Sequence, residues 1–128
     1  MKRRRIANIA RVHGEWGEDI AAEFLRRAGY EILERNSRPV RKDRRLDIDI
    51  VAYDKRSDAV VFVEVKQRKT SDDAAYSIDG FVKKRRIAGA RYFLMLHGEY
   101  ETFEMRFDAV LFGNGKLPQH IKNAWECD

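Results

Sequence analysis

Cysteine occurs once in the 128 residues, at Cys127. A lone thiol closes no intrachain disulfide and builds no cysteine metal site, so the expected compartment is a reducing one, the cytoplasm. Histidine is nearly as scarce. His13, His97 and His120 lie far apart and none has metal-ligand spacing. There is no long apolar run. After KRRR at 2–5, the stretch IANIA is ended by Arg11, too short for a secretory leader, and no window approaches the length of a membrane span. A glycine-rich phosphate loop is missing too, which argues against nucleotide-driven chemistry. Internal repeats and low-complexity linkers are absent, and 128 residues suit one core. The expected organisation is a basic amino-terminal arm over 1–12 and a single domain over 13–128.

Charge, by contrast, is abundant. Charged residues make up 37% of the chain, with a net charge of +5 and a pI near 9.5. The excess sits at the front: residues 1–46 carry a net of +6 and residues 47–128 a net of −1. Basic residues cluster as KRRR at 2–5, RKDRR at 41–45, KQRK at 66–69 and KKRR at 83–86. Few aromatics lie between them. That pattern suits contacts to a phosphate backbone better than base stacking. Each cluster taken alone also reads as a solvated face.

The apolar pattern predicts a helix over 15–28, with Trp16, Ile20 and Phe24 at four-residue steps, Ala21, Leu25 and Ala28 beside them, and Gly29 as terminator. Glu18 falls at the border of that face. Residues 30–36 read as a strand and SRPVRKDRR as a basic loop. DIDIVAY, residues 47–53, alternates, with Asp47, Asp49, Val51 and Tyr53 on one face and Ile48, Ile50 and Ala52 on the other. The polar DKRSD turns it into a second strand over 59–66, forming a hairpin. KTSDDAAYS follows as a flexible segment, then a helix over 78–96 with a stripe of Ile87, Ala90 and Leu94. Residues 102–112 alternate again, placing Phe103, Met105, Phe107, Ala109 and Leu111 inward and Glu104, Arg106 and Asp108 on the other face. Gly113-Asn114-Gly115 is a turn, and HIKNAW is ambiguous. Helix, strands, helix, strand is the order of an α/β fold, a mixed sheet with helices packed on it.

One stretch, VVFVEVKQR at 60–68, carries a chemical question. Glu64 and Lys66 are two apart, so they share one face of an otherwise apolar strand. Spacing alone leaves two readings, an ion pair at the wet rim of a sheet or a functional site. Asp49, on the neighbouring strand, comes near Glu64 if the register allows. Two carboxylates held close raise a pKa or call in a cation. A hard ion, Mg²⁺ or Mn²⁺, takes one or two carboxylates together with waters and phosphate oxygens. With Lys66 on the same face, these parts suffice for metal-assisted hydrolysis of a phosphodiester. Asp47 has two readings, a second ligand or, the favoured one, an exposed acid at the strand end.

In order along the chain stand HGEWGEDIAAEFLRRAGYEIL, Arg35-Asn36, DIDIVA, VVFVEVKQR, KKRRI and RFDAV. This series resembles the YraN-like family of bacterial proteins, which is similar to Holliday junction resolvases and to restriction endonucleases of the PD-(D/E)xK nuclease fold. The resemblance covers roughly residues 13–125. It implies a restriction-endonuclease-like mixed β-sheet flanked by helices. It further implies that Glu18, Asp49 and Glu64 bind one or two metal ions, that the backbone carbonyl of Val65 adds a ligand, and that Lys66 assists the attacking water. Where the family reads Gly-Glu before its Ile-Asp, this chain has Leu46-Asp47, and no proline precedes Asp49. The expected protein is therefore a metal-dependent, structure-selective DNA endonuclease. Arg41, Lys42, Arg44, Arg45, Arg68, Lys69, Lys83 and Lys84 would grip the nucleic acid, no membrane is involved, and a homodimer is implied by analogy with resolvases that pair to make two cuts. The alternative is a nucleic-acid-binding module that keeps the fold without the chemistry.

Overall fold

Among the described residues, two α-helices and five strands follow one another as α1 (Ile9–Arg27), β1 (Tyr30–Ser37), β2 (Ile48–Asp54), β3 (Ala59–Gln67), α2 (Gly80–Leu96), β4 (Glu104–Gly113) and β5 (Lys116–Trp125). They come from a computed structural model that describes residues 9–67, 80–113 and 115–127. Expectations for the basic arm at 2–5, for KTSDDAAYS, and for Arg68 and Lys69 lie outside the described residues.

The strands form a single sheet in sequence order, β1-β2-β3-β4-β5. All neighbours are antiparallel except β3 and β4, which run parallel. A parallel pair cannot be joined by a tight turn, and α2 makes the crossover. β2 and β3 are central and covered on both faces, which is why AVVFV reads as a continuous apolar run. On one face Ala21, Ala22 and Leu25 of α1 pack on Ile50, Ala52, Val61, Val63 and Val110. On the other, Ala90 and Phe93 of α2 pack on Val51, Val60, Phe62 and Phe107, with Trp125 closing the cluster. The four residues 55–58 turn β2 into β3, with Asp58 at φ 54° in the left-handed region that aspartate tolerates.

Three expectations change. The buried stripe of α1 is centred on Gly17, Ala21, Ala22 and Leu25 rather than on Trp16, Ile20 and Phe24; Trp16 is 56% exposed and meets the edge of Phe112 instead. Glu18 thus stands three, four and seven residues before Ala21, Ala22 and Leu25, half-buried on the line of that stripe. The polar face of β4 is not wet: Asp108 is fully buried, and Arg106 is largely so. HIKNAW belongs to a ten-residue strand, β5.

Candidate functional site

The β2–β3 hairpin brings the two acids together. Ile50 faces Val63 across the ladder, and the next step outward sets Asp49 beside Glu64 at the end of the central strands. Both point to the α2 face, as the alternation of Val51 with Asp49 and of Val60 and Phe62 with Glu64 requires. Asp49 Oδ2 accepts the backbone N–H of Val65 at 2.8 Å. Burial pushes the Asp49 carboxyl up, and the nearby charges of Glu64 and Glu18 add to it. The Val65 N–H and the Arg86 guanidinium oppose the shift without reversing it, leaving Asp49 near pKa 7 against an ordinary 3.8.

Glu18, on α1, is near enough for its charge to add to the Asp49 shift, and its Oε1 is buried. Gly17 makes room for the local packing: a Cβ there would stand 2.3 Å from the Phe112 ring. Lys66, two residues past Glu64, is exposed at the end of β3. The expected group therefore separates into a desolvated pair, Asp49 and Glu64, a helical acid whose charge acts on Asp49, and a solvated lysine. Asp47 is more occupied than expected of an exposed acid, lying 3.8 Å from both Arg38 and Arg44.

Arg86 is the residue sequence reasoning missed. Its Nε donates to Glu64 Oε2 at 2.6 Å and its Nη1 to the carbonyl of Arg45 at 2.9 Å. Both side chains are mostly buried, 20% exposed for Arg86 and 14% for Glu64. The signal was present: Arg86 precedes Gly89, Ala90 and Phe93 by three, four and seven residues, on the buried stripe of α2. α2 comes unusually close to the 3-10 turn Arg44–Leu46, since a Cβ on Gly89 would lie 2.4 Å from the Leu46 carbonyl oxygen.

The basic residues differ in how free they are. Arg41, Lys42 and Lys84 are exposed, and Lys83 is half-buried. Arg45 is held by Asp43 at 2.8 Å, while Arg44 leans on Asp47. The Asp43 side chain also accepts the Arg45 N–H and caps the 3-10 turn, so this loop is ordered by its own charges.

Among the described residues, no three acidic, histidine or cysteine side chains converge as a ready-made metal cluster. The donor chemistry nonetheless fits a hard cation. Asp49 and Glu64 present oxygen only, and burial first, with the Glu64 charge second, disfavours an ionised Asp49 unless a cation accompanies it. Arg86 supplies part of that positive charge.

A mixed five-stranded sheet between two helices, with paired carboxylates at the end of its central hairpin, defines an α/β protein of the restriction-endonuclease-like type. Residues 17–112, which include Glu18, Asp49, Glu64, Lys66 and Arg86, match the model of the family described as Uncharacterised protein family UPF0102. The chain belongs to that family, as its resemblance to YraN-like proteins implied. A UPF0102 protein of Nitrobacter winogradskyi is 42% identical over 93% of this chain and 97% of its own length. Another, from Rhodopseudomonas palustris, is 43% identical over 86% of this chain and 81% of its own. A third, from Paramagnetospirillum magneticum, is 38% identical over 97% and 95%. No helix among the described residues is long and apolar enough to cross a membrane.

Proposed function

We propose that the protein is a metal-dependent endonuclease that hydrolyses phosphodiester bonds in DNA. The observation that carries this reading is the Asp49–Glu64 pair, two carboxylates desolvated side by side so that Asp49 is pushed up to about 7. Such a pair is costly for a fold and serves chemistry that needs a concentrated negative site. Asp49 and Glu64 would hold Mg²⁺ or Mn²⁺, with Glu18 acting on the same centre. The ion, when bound, supplies a charge sink and an acidified water. Lys66, next along the same strand face, stabilises charge developing on the phosphoryl oxygens. Arg41, Lys42 and Lys84 offer cations to the phosphate backbone. A cytoplasmic location and a pair of chains making two cuts belong to the same proposal.

The second reading, a nucleic-acid-binding module without chemistry, draws support from the Arg86–Glu64 pair, which gives Glu64 a partner without any ion. One experiment separates the two. Single-stranded, duplex, flap and four-way-junction DNA are incubated with wild type, Asp49→Asn and Lys66→Ala in Mg²⁺, Mn²⁺ or EDTA. The nuclease reading expects cleavage abolished by EDTA and by Asp49→Asn, and slowed by about 10²–10³ in Lys66→Ala, the usual cost of one electrostatic stabiliser. Wild type that binds DNA and never cuts with any metal would hand the case to the binding module.

A further inference from the structure

Arg86 touches three parts of the molecule at once. It projects from α2, it donates to Glu64 at the end of β3, and it donates to a carbonyl of the basic 3-10 turn. A guanidinium has five N–H donors in a rigid fork, and these two bonds use two of them. The fork matches a phosphate as well as it matches a carboxylate. Glu64, for its part, faces two claims. Held by Arg86 it is a satisfied ion pair, and held by a divalent ion it is a ligand. Both cations on the same carboxylate would repel one another at close range.

We propose that Arg86 is a tethered counter-cation that competes with the divalent ion for Glu64 and moves to a substrate phosphate when the ion takes its place. The proposal rests on the nuclease-site reading and adds a coupling to it. In the resting protein Arg86 compensates Glu64 and weakens ion binding. A phosphate arriving over the Arg44–Leu46 turn offers the guanidinium another acceptor and frees Glu64. Ion and nucleic acid then bind cooperatively, and by linkage each tightens the other by the same factor. The anchor at Arg45 suits this role. It keeps the guanidinium beside the basic turn, so that a small swing rather than a helix movement exchanges its partners.

The test is Mn²⁺ binding, read from the electron paramagnetic resonance signal of the free ion, with wild type, Arg86→Met, Arg86→Lys and Glu64→Gln. Arg86→Met is expected to bind Mn²⁺ about tenfold tighter than wild type, within the usual span of coupling between sites. Arg86→Lys keeps the charge and loses the fork, so it should fall between the two, and it carries the test if Arg86→Met does not fold. Glu64→Gln should lose binding. In parallel, the affinity for a short fluorescein-labelled DNA duplex is measured by anisotropy in EDTA and in Ca²⁺. Wild type should bind the duplex more tightly in Ca²⁺, and the Arg86 variants should lose most of that gain. If Glu64→Gln loses Mn²⁺ while the Arg86 variants bind it no more tightly than wild type, Arg86 is a structural ion pair and only this inference falls. If wild type and the Arg86 variants alike bind no Mn²⁺, the metal site itself is wrong and the inference goes with it.

Discussion

Asp49 works against the stability of the fold at neutral pH. Its carboxyl is pushed from 3.8 to about 7 by burial first and by the Glu64 charge second. Between those two values the native protein holds a proton that the unfolded chain has released. Stability therefore falls as pH rises toward 7, and the full penalty is present above it. Asp49→Asn keeps the shape and removes the charge. In EDTA at pH 8 it should raise the thermal midpoint, with a gain of a few kcal/mol at about 1.4 kcal/mol for each pH unit separating the two values. The gain should fade as the pH approaches 4, and a midpoint lowered at pH 8 would show that the site wants the carboxylate. At this scale the sequence was legible where chemistry follows from alternation: Asp49, Glu64 and Lys66 share a face because strands have a period of two. It was not legible for Arg86, because a KKRR run looks equally basic all round and only the packing of α2 singles out which member turns inward. Lys66 is exposed because β3 leaves the cover of α2 near its end, which the alternation does not show.

At the scale of elements, the contact between α2 and the Arg44–Leu46 turn sets the position of Arg86. Gly89 makes that contact possible. Its would-be Cβ meets a backbone carbonyl, which cannot rotate away as a side chain does. Gly89→Ala gains up to about 1 kcal/mol of helix propensity, yet the clash should outweigh it and leave a net loss of about 1–3 kcal/mol. Urea unfolding gives the sign directly, and a stabilised variant would mean that the turn yields to the helix. The β2–β3 hairpin could be read from the sequence because both strands alternate and DKRSD separates them. β5 could not, since KLPQHIKNAW carries Pro118 and mixes polar with apolar residues; its pairing with β4 makes it a strand. The stripe of α1 was misplaced because Trp16 counts as apolar, although its large ring lies at the surface against Phe112.

Across the whole molecule, a second set of buried charges ties the sheet together on the α1 face. Arg106 binds Asp108 through two nitrogens at 2.9 Å each, Asp54 at 2.9 Å and the Tyr30 hydroxyl at 2.7 Å. Asp108 also meets His120 Nε2 at 2.7 Å and accepts the Asn123 N–H. The network links β1, β2, β4 and β5, and none of it belongs to the carboxylate pair. Burial alone would raise Asp54, but its bonds to Arg106, Ser57 and the Arg56 N–H more than reverse that and hold it at about 2. Asp108 is lowered as well, its own burial outweighed by His120 and Arg106. Both carboxylates therefore stabilise the fold above about pH 4 and lose that contribution as the pH falls toward 2. Arg106→Met strands two acids and should cost about 3–5 kcal/mol. Acid titration by circular dichroism should show its unfolding shifted and its dependence on pH between 4 and 2 blunted. An unchanged acid limb would show that other carboxylates govern it.

The two halves of the sheet close over very different lengths of chain. β2 meets β3 through a four-residue turn, whereas β4 must wait for α2 to carry the chain back across the face. Short loops close first, so the hairpin that juxtaposes Asp49 and Glu64 forms while β4 is still unplaced. Their repulsion is then an obstacle on the way to the native state as well as a weakness of the finished one. Relieving it with Asp49→Asn should quicken refolding, while the share of the penalty that comes from burial, which arises only once α2 covers the site, should show as slower unfolding. The chemistry of the site would thus be written into the tempo at which the chain assembles.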